Sequence, residues 1–224
     1  CDTLNVSYDR FIRTSQPDHY QASQAIWKAM EERGDLYLDR YEGWYSVRDE
    51  AYYDESELVT ADSGEKLSPQ GTPVDWTVEE SWFFRLSAYQ DRLLELYDER
   101  PDFVLPRNRY NEARSFIEGG LEDFSVSRAG QPWGVPIPWD EGQVTYVWVD
   151  ALINYLSALT YAQPGEDLRD EFWPVVRHLL GKDILRFHCV YWPALLLAAG
   201  YEVPRQLFVH GWLLLEDQKI SKSL

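Results

Sequence analysis

The amino-acid sequence predicts an α/β fold in which a parallel sheet carries helices packed against it. From Phe124 onward, runs of β-branched and aromatic residues alternate with amphipathic runs, and this alternation is typical of strand–helix–strand units. The apolar fraction of 45% and the charged fraction of 26% are those of an ordinary globular chain. With 224 residues, the chain is long enough to bury a substantial core.

The chain is strongly acidic, and this limits the partners that it can have. Its 38 acidic and 21 basic residues give a formal net charge of −17, which argues against a surface made mainly for gripping DNA. No apolar run approaches the roughly 18 residues that a membrane-spanning helix needs. Two cysteines, Cys1 and Cys189, are too few for a disulfide framework. We therefore expect a cytoplasmic protein without a membrane or DNA partner.

The first half of the sequence predicts helices on either side of a β-rich segment. The expected elements are a helix at 15–33, short antiparallel strands at 36–60, a loop at 61–73, a long amphipathic helix from 77 to 97 and a weaker helix at 110–117. Gly34 is placed to end the first helix. Thr77 and Glu80 have the spacing of a capping box, which predicts the start of the long helix.

The second half predicts the alternating strands and helices. The expected elements are a strand at 123–128, a Pro/Gly-rich connection at 131–142, a strand at 143–149, a helix capped by Asp150, a helix at 184–199 that Pro193 bends, and a strand at 206–215. In parallel sheets of this kind ligands bind at the carboxyl ends of the strands. The candidate functional residues fall at these ends.

A first group of candidates follows the strand at 143–149. Ala151 and Tyr155 are four residues apart on the next predicted helix, so they share a face close to Trp148. A small residue between two aromatic residues leaves room for a slim apolar ligand. The alternative is that Trp148 and Tyr155 only fill the core.

A second group follows Gly181. Ile184, His188 and Trp192 repeat every four residues and form one stripe of a helix. A single histidine in an apolar face is also common as a hydrogen-bonded core residue, so this alternative stays open. Asp183 can cap the N-terminus of this helix. If it faces a crevice, its carboxylate can also accept hydrogen bonds from the hydroxyls of a ribose.

A third group is the lysine and serine cluster after the last predicted strand. Lys219 and Lys222 are three residues apart with a hydroxyl between them, and such donors suit a polyphosphate. Their position at the exit of a strand, in an acidic chain, favours a binding loop over a solvated tail. The sequence contains neither a P-loop nor a dinucleotide-binding glycine motif, and its four histidines lack zinc-ligand spacing.

Several ordered motifs resemble those of the methionyl-tRNA synthetase family within the class I aminoacyl-tRNA synthetases. The string K-I-S-K-S at 219–223 resembles the KMSKS signature, with Ile220 where methionine is usual. The other matching strings are Y-E-G-W-Y at 41–45, S-V-S-R at 125–128, W-G-V-P at 133–136, Y-V-W-V-D-A-L at 146–152, G-K-D-I at 181–184, F-H at 187–188, Y-W-P-A at 191–194 and F-V-H-G at 208–211. The match runs over essentially the whole chain.

The resemblance implies a Rossmann-like catalytic domain, represented by the second half of its parallel sheet with flanking helices and by a small β-containing inserted segment. The implied division is 1–35 for the C-terminal part of the first catalytic half, 36–76 for the inserted segment, and 77–224 for a helical return and the second half up to the KMSKS-like loop. Many relatives bind zinc through cysteines of the inserted segment. Here Ser46 and Asp49 stand in that region without a cysteine, so we expect no zinc.

The resemblance also implies roles for individual residues. The methionine pocket would contain Trp148, Ala151, Tyr155, Ile184, His188 and Trp192. The ATP site would contain Gly181, Asp183, His210, Gly211, Trp212 and Lys222. Lys219 and Lys222 would be catalytic, and Arg128 matches a family arginine near the active site.

The implied activity is that of a methionine–tRNA ligase. Methionine would react with ATP, accompanied by Mg²⁺, to give methionyl-adenylate, and tRNA(Met) would then receive the methionyl group. The other signature of class I, of the H-x-G-H type, appears nowhere in the sequence. Because the chain also begins at Cys1 and stops directly after the lysine and serine cluster, we expect an internal fragment of a longer enzyme, inactive by itself.

Two other interpretations remain open. A class I synthetase for leucine, isoleucine or valine would share the lysine loop, but the aromatic residues Trp148, Tyr155 and Trp192 argue against it. A non-catalytic module that binds a carbohydrate or a peptide would use some of the ten tryptophans and fifteen tyrosines. It would leave the lysine loop unexplained.

Overall fold

Helices and strands alternate in the computed structural model, which describes residues 3, 5–49, 51–61, 63–162, 165, 167–215 and 218–219. The helices are α1 (Pro17–Glu31), α2 (Gln90–Glu99), α3 (Arg107–Glu118), α4 (Val147–Ser157), α5 (Arg169–Phe172) and α6 (Trp192–Ala199). The strands are β1 (Leu36–Ser46), β2 (Ala51–Tyr53), β3 (Val59–Thr60), β4 (Lys66–Leu67), β5 (Asp75–Phe84), β6 (Val104–Leu105), β7 (Phe124–Ser125), β8 (Ser127–Ala129), β9 (Pro136–Ile137), β10 (Asp140–Thr145), β11 (Arg177–Gly181), β12 (Gln206–His210), β13 (Leu214–Leu215) and β14 (Gln218–Lys219). The predicted α/β class is confirmed.

A parallel sheet of β11, β12 and β6 positions the candidate site. The side chains of Leu180 and Val209 lie on its buried face, whereas Leu179 and Phe208, on the opposite face, are 74% and 45% exposed. The register pairs Leu180 with Val209 and Gly181 with His210. Both strands therefore end at the same edge, where parallel sheets bind ligands.

An antiparallel sheet in the order β2-β1-β5-β7 occupies the first half of the chain. The predicted strands within 36–60 are confirmed, but the helix predicted from Thr77 is wrong as far as residue 84. β5 pairs with β1 from Leu36 opposite Phe84 to Tyr45 opposite Asp75. The capping-box spacing at Thr77 is a local signal, and this long pairing outweighs it. The division of the chain at 35 and 76 stays a prediction.

The connection between β10 and α4 differs from the sequence prediction. The strand predicted over 143–149 ends at Thr145, and α4 begins at Val147. Asp150 is therefore inside the helix and caps nothing. Its carboxylate lies 2.6 Å from Nε2 of His19 on α1, and Nδ1 of His19 lies 2.8 Å from the Ser157 hydroxyl. This buried group joins α1 to α4.

The helix predicted over 184–199 is interrupted. A 3₁₀ turn at Lys182–Ile184 and a π-helical turn at Phe187–Tyr191 precede α6. Pro193 lacks an N–H group, so it cannot donate to the carbonyl of Cys189 four residues earlier. The Tyr97 hydroxyl donates to this carbonyl at 2.7 Å, which satisfies it.

The last predicted strand, 206–215, is also interrupted. β12 ends at His210 because its partner β11 ends opposite, at Gly181. Residues Leu214–Leu215 form β13 in a separate antiparallel pair with β14. Helix α1 packs against both α4 and α6. No helix among the described residues is long and apolar enough to cross a membrane.

Candidate active site

The candidate site lies where the carboxyl ends of β11 and β12 meet α4 and the π-helical turn. Gly181 is opposite His210 at the ends of the two strands. The π-helical turn follows β11 and contacts α4. Segments that are distant in sequence therefore come together at the edge where a parallel sheet binds ligands.

A chain of hydrogen bonds crosses the centre of this site. The Tyr155 hydroxyl lies 2.7 Å from Nε2 of His188, and Nδ1 of His188 lies 3.0 Å from the carbonyl oxygen of Ile184. Since a carbonyl only accepts, Nδ1 carries the proton and Nε2 accepts the tyrosine proton. Burial lowers the pKa of His188 and raises the pKa of Tyr155. Both side chains are therefore neutral near pH 7.

Trp192 and a residue that sequence reasoning missed, His178, complete this cluster. The Trp192 ring is fully buried and its centroid lies 6.3 Å from that of Tyr155. Its indole N–H donates to Nε2 of His178 at 3.2 Å, and the His178 ring stacks on Tyr155 at 4.0 Å. His178 and Leu180 are the buried residues of an alternating strand, and this alternation was the signal that would have placed His178 toward the helices.

Trp148 joins the cluster through a neighbour. It lies on the first turn of α4, not at the end of a strand as the sequence predicted. Its ring stacks on that of Phe187 with centroids 4.3 Å apart and planes inclined by 12°. Phe187 directly precedes His188, so Trp148 lies beside the hydrogen-bonded chain and outside it.

Ala151 lies one helical turn before Tyr155 on α4. It borders a cleft of about 590 Å³ whose lining includes none of the aromatic cluster. The other residues around this cleft are Phe11, Ile12, Arg13, Thr14, Ser15, Trp133 and Asn154. The assignment of Ala151 and of the aromatic cluster to a methionine pocket stays a prediction.

Gly181, Asp183 and His210 meet at the ends of the two parallel strands. A Cβ atom added to Gly181 would lie 2.5 Å from Oδ1 of Asp183 and 3.6 Å from Cε1 of His210. Glycine is therefore needed for the carboxylate to fold back over the strand end. The Asp183 side chain is exposed, so this carboxylate is free to accept hydrogen bonds from a ligand.

The segment after β12 is open to solvent. Nδ1 of His210 lies 2.7 Å from the carbonyl oxygen of Gly211. The next residue, Trp212, has its ring 4.6 Å from the ammonium group of Lys182, a cation–π contact. A side chain added at Gly211 would meet nothing within 4 Å. A flat ring of a ligand would find space beside this backbone.

The two predicted lysines are only partly within the described residues. The backbone of Lys219 lies in β14, opposite Leu214 of β13. Lys222 lies outside the described residues. Their roles stay predictions.

Arg128 lies on β8 beside the site. Its Nη1 donates to the Ser125 hydroxyl and to the carbonyl oxygen of Ser127, both at 2.7 Å. Its guanidinium carbon lies 4.2 Å from the centre of the Tyr146 ring. Arg128 also borders a cleft of about 290 Å³ that includes Asp150. It is therefore held in place near α4.

In the predicted inserted segment, hydroxyl groups and one carboxylate form a cluster around Asp49. Asp49 accepts hydrogen bonds from Ser68 at 2.8 Å, from Tyr53 at 3.1 Å and from Thr72. The hydroxyls of Ser46 and Thr72 lie 2.8 Å apart. The Thr72 hydrogen bond contributes most to lowering the pKa of Asp49.

These donors do not fit zinc, which prefers thiolate and imidazole ligands. Within the described residues, no group of three or more histidine, cysteine, aspartate or glutamate side chains is placed to hold a metal ion. The expectation of a zinc-free segment stays a prediction.

Comparison with known proteins identifies close relatives over the full chain. A family model described as tRNA synthetases class I (M) matches residues 1–224. The methionine–tRNA ligase of Mesorhizobium japonicum is 55% identical over 223 residues, which cover 100% of this chain and 43% of the relative. That of Rhizobium meliloti is 55% identical over 221 residues, which cover 99% of this chain and 43% of the relative.

Solved structures show the same relationship. Mycobacterium tuberculosis methionyl-tRNA synthetase in complex with methionyl-adenylate superposes with a TM-score of 0.88 at 51% identity, covering 100% of this chain and 44% of that one. Its apo form superposes with a TM-score of 0.83, covering 94% and 43%. The chain thus spans less than half the length of these relatives. Because the family model covers all of its residues, the chain belongs to the class I tRNA synthetases (M).

Proposed function

We propose that this chain is the part of a methionine–tRNA ligase that binds the methionine side chain and the nucleotide. The enzyme activates L-methionine with ATP to methionyl-adenylate and then charges tRNA(Met). The observation that carries the proposal is the aromatic cluster around the Tyr155–His188 hydrogen bond, at the ends of parallel strands in a chain 55% identical to methionine–tRNA ligases.

In the first step, a carboxylate oxygen of methionine attacks the α-phosphorus of ATP. The bond from this phosphorus to the bridging oxygen of the β-phosphate breaks, and pyrophosphate leaves with Mg²⁺. Lys219 and Lys222 supply positive charge to the phosphates as negative charge develops on the leaving group. Since the enzyme forms no covalent intermediate, positioning and electrostatic stabilisation account for the rate.

The nucleotide is held at the strand ends. The exposed Asp183 carboxylate, with Gly181 leaving it room, accepts hydrogen bonds from the ribose hydroxyls. The adenine lies along the backbone of His210, Gly211 and Trp212, which is open on one side.

The aromatic cluster recognises the methionine side chain without requiring a hydrogen bond from it. The hydroxyl proton of Tyr155, the Nδ1 proton of His188 and the indole proton of Trp192 are all donated to protein acceptors. A thioether is apolar, polarisable and only a weak acceptor, so it loses little on entering such a pocket. A side chain with strong acceptors would lose its water without finding these donors free.

In the second step, a terminal ribose hydroxyl of tRNA(Met) attacks the carbonyl carbon of methionyl-adenylate. The ester bond to tRNA forms, and AMP leaves. The proposal places the enzyme in the cytoplasm, where its substrates are, and the scarcity of cysteine is consistent with a reducing compartment.

A synthetase for leucine, isoleucine or valine is the alternative, and the aromatic wall does not favour it. Apolar pockets discriminate by only about 1–3 kcal/mol for each methylene group, so shape must supply the selectivity. The rings of His188 and Trp192 pack against Tyr155, with centroids 5.5 Å and 6.3 Å from that of Tyr155, and such a rigid aromatic surface suits an unbranched side chain better than a branched one.

Amino-acid-dependent ATP–pyrophosphate exchange by the native protein tests the proposal. We expect exchange with methionine, and a kcat/KM at least about tenfold lower with leucine, isoleucine or valine. Faster exchange with one of these three would overturn the assignment. The 224 residues expressed by themselves should give no exchange, since they contain no H-x-G-H sequence, and exchange by this chain alone would refute that part.

A further inference from the structure

His178 is a buried side chain with two contacts to the candidate pocket and no role in the steps above. It is 4% exposed. Its Nε2 accepts the indole N–H of Trp192 at 3.2 Å, and its ring stacks on Tyr155 with centroids 4.0 Å apart and planes inclined by 27°. One side chain thus touches two walls of the pocket that lie on different helices.

The hydrogen bond fixes the chemical state of His178. An indole N–H only donates, so Nε2 must be unprotonated and the ring proton must be on Nδ1. Burial, with a contribution from His188, lowers the pKa of His178 to about 3, so the ring is neutral near pH 7. If the acceptor were removed, the fully buried indole of Trp192 would lose its partner.

The stacking fixes the second wall. Tyr155 has its hydroxyl held by His188 on one side and its ring face held by His178 on the other. The centroid of the Trp173 ring lies 6.1 Å from that of His178 and 6.2 Å from that of Trp192, so a further aromatic ring packs against both partners of the hydrogen bond.

We propose that His178 is a positioning residue for amino-acid selection: by accepting the Trp192 indole proton and stacking under Tyr155, it fixes the positions of these two rings relative to each other. The inference rests on the proposed function. His178 lies behind the walls, and its effect on the substrate is exerted through Trp192 and Tyr155. It should therefore influence methionine recognition without influencing ATP.

The test compares three substitutions in the native protein by ATP–pyrophosphate exchange. His178→Phe keeps a ring under Tyr155 and loses the acceptor, His178→Gln keeps an acceptor near the position of Nε2, and His178→Leu loses both the acceptor and the aromatic ring. We expect the KM for methionine to rise about tenfold in His178→Phe and more in His178→Leu. In His178→Gln it should stay within about threefold of wild type, and the KM for ATP should change by less than about twofold in all three.

The ratio of kcat/KM for methionine to that for leucine is a second readout, because it does not depend on the fraction of folded enzyme. It should fall in His178→Phe and be restored in His178→Gln. Trp192→Phe removes the same hydrogen bond from the donor side and should lower the ratio similarly, so the test does not depend on any single variant folding. Tyr110→Phe is the matched control, since it deletes a buried hydroxyl that donates to the Tyr97 carbonyl outside the pocket, and should leave the ratio unchanged.

The outcomes separate this inference from the proposed function. If the wild-type protein does not activate methionine, the proposed function fails. If it does, and the His178 variants keep the wild-type ratio and KM for methionine while losing only thermal stability, His178 is a structural residue and the inference is overturned. An equal rise in both KM values would overturn it as well.

Discussion

The candidate site has two predicted sides, one for the amino acid and one for the nucleotide, and they are built in opposite ways. On the amino-acid side, His178, His188 and Trp192 are at most 4% exposed, and their hydrogen bonds run within the cluster or to the protein backbone. On the nucleotide side, Asp183 and Gly211 are exposed, and a Cβ atom added to Gly211 would meet nothing within 4 Å.

This difference follows from what each ligand offers. An apolar side chain has few features to recognise. A buried surface of fixed shape, here the aromatic cluster, must therefore distinguish it from other amino-acid side chains of similar size. A nucleotide carries hydroxyls and charged phosphates, so donors and acceptors at accessible strand ends suffice to hold it. Substitutions on the first side should therefore change the KM for the amino acid, and substitutions on the second should change the KM for ATP or the rate.

The largest expected effect concerns the phosphates. Lys222→Ala in the native protein should lower the kcat of ATP–pyrophosphate exchange by about 10²-fold, because a positive charge would be lost where negative charge develops. The KM for methionine should stay within about twofold of wild type. Lys66→Ala, which removes a surface lysine paired with Glu55, is the charge-matched control. A changed KM for methionine with unchanged kcat would contradict the separation of the two sides.

A smaller effect on exchange is expected from a substitution at the centre of the aromatic cluster. Tyr155→Phe keeps the ring and leaves Nε2 of His188 without its donor. An unsatisfied buried acceptor costs about 1–3 kcal/mol, so the KM for methionine should rise about tenfold. Steady-state exchange at varied methionine and saturating ATP measures it. An unchanged KM would mean that the hydrogen bond does not hold the pocket in shape.

Gly181→Ala should have a milder effect, confined to the nucleotide. The added Cβ would lie 2.5 Å from Oδ1 of Asp183, and this flexible, exposed carboxylate would swing away. The fold should tolerate the change, while the KM for ATP should rise about fivefold, as for the loss of one hydrogen bond. Exchange at varied ATP tests this, and a rise in the KM for methionine alone would be the opposite of the expected result.

The pH dependence of stability should reveal that the histidines of the aromatic cluster are neutral in the folded protein. The pKa of His178 is lowered from 6.5 to about 3 by burial and by His188, so between these pH values the unfolded state binds a proton that the folded state does not. His178 should therefore lower the free energy of unfolding by about 1.4 kcal/mol for each pH unit between 6.5 and about 3. In His178→Phe, the loss between pH 7 and pH 5 should be smaller by about 2 kcal/mol. Urea unfolding at both pH values measures this, and equal losses in the two proteins would contradict it.

The sequence indicated more about the α/β class than about the connections between elements. Strand–helix alternation is a local signal, and alternating strands and helices are present. The helix predicted at Thr77 failed because the pairing of β5 with β1 joins residues about forty apart, and no local pattern contains that contact. At Val147, a β-branched and aromatic run was assigned to a strand although it begins α4.

The aromatic cluster was only partly predictable from the sequence for a similar reason. The four-residue spacing of Ile184, His188 and Trp192 predicted that they share a face. The rings of His188 and Trp192 both lie against Tyr155, although the segment includes a π-helical turn. His178 was missed because its importance comes from tertiary contacts to two helices. A histidine in a strand has no spacing that reveals such a partner.

The central claim is that the aromatic cluster donates its polar hydrogens to acceptors within the protein. It therefore selects a side chain that needs no hydrogen-bond donor. L-methionine sulfoxide tests this most directly, since it has the length of methionine and adds one strong acceptor oxygen. In ATP–pyrophosphate exchange by the native protein, the account predicts a kcat/KM for the sulfoxide about 10²-fold below that for methionine. Values for the two substrates within about threefold of each other would contradict it.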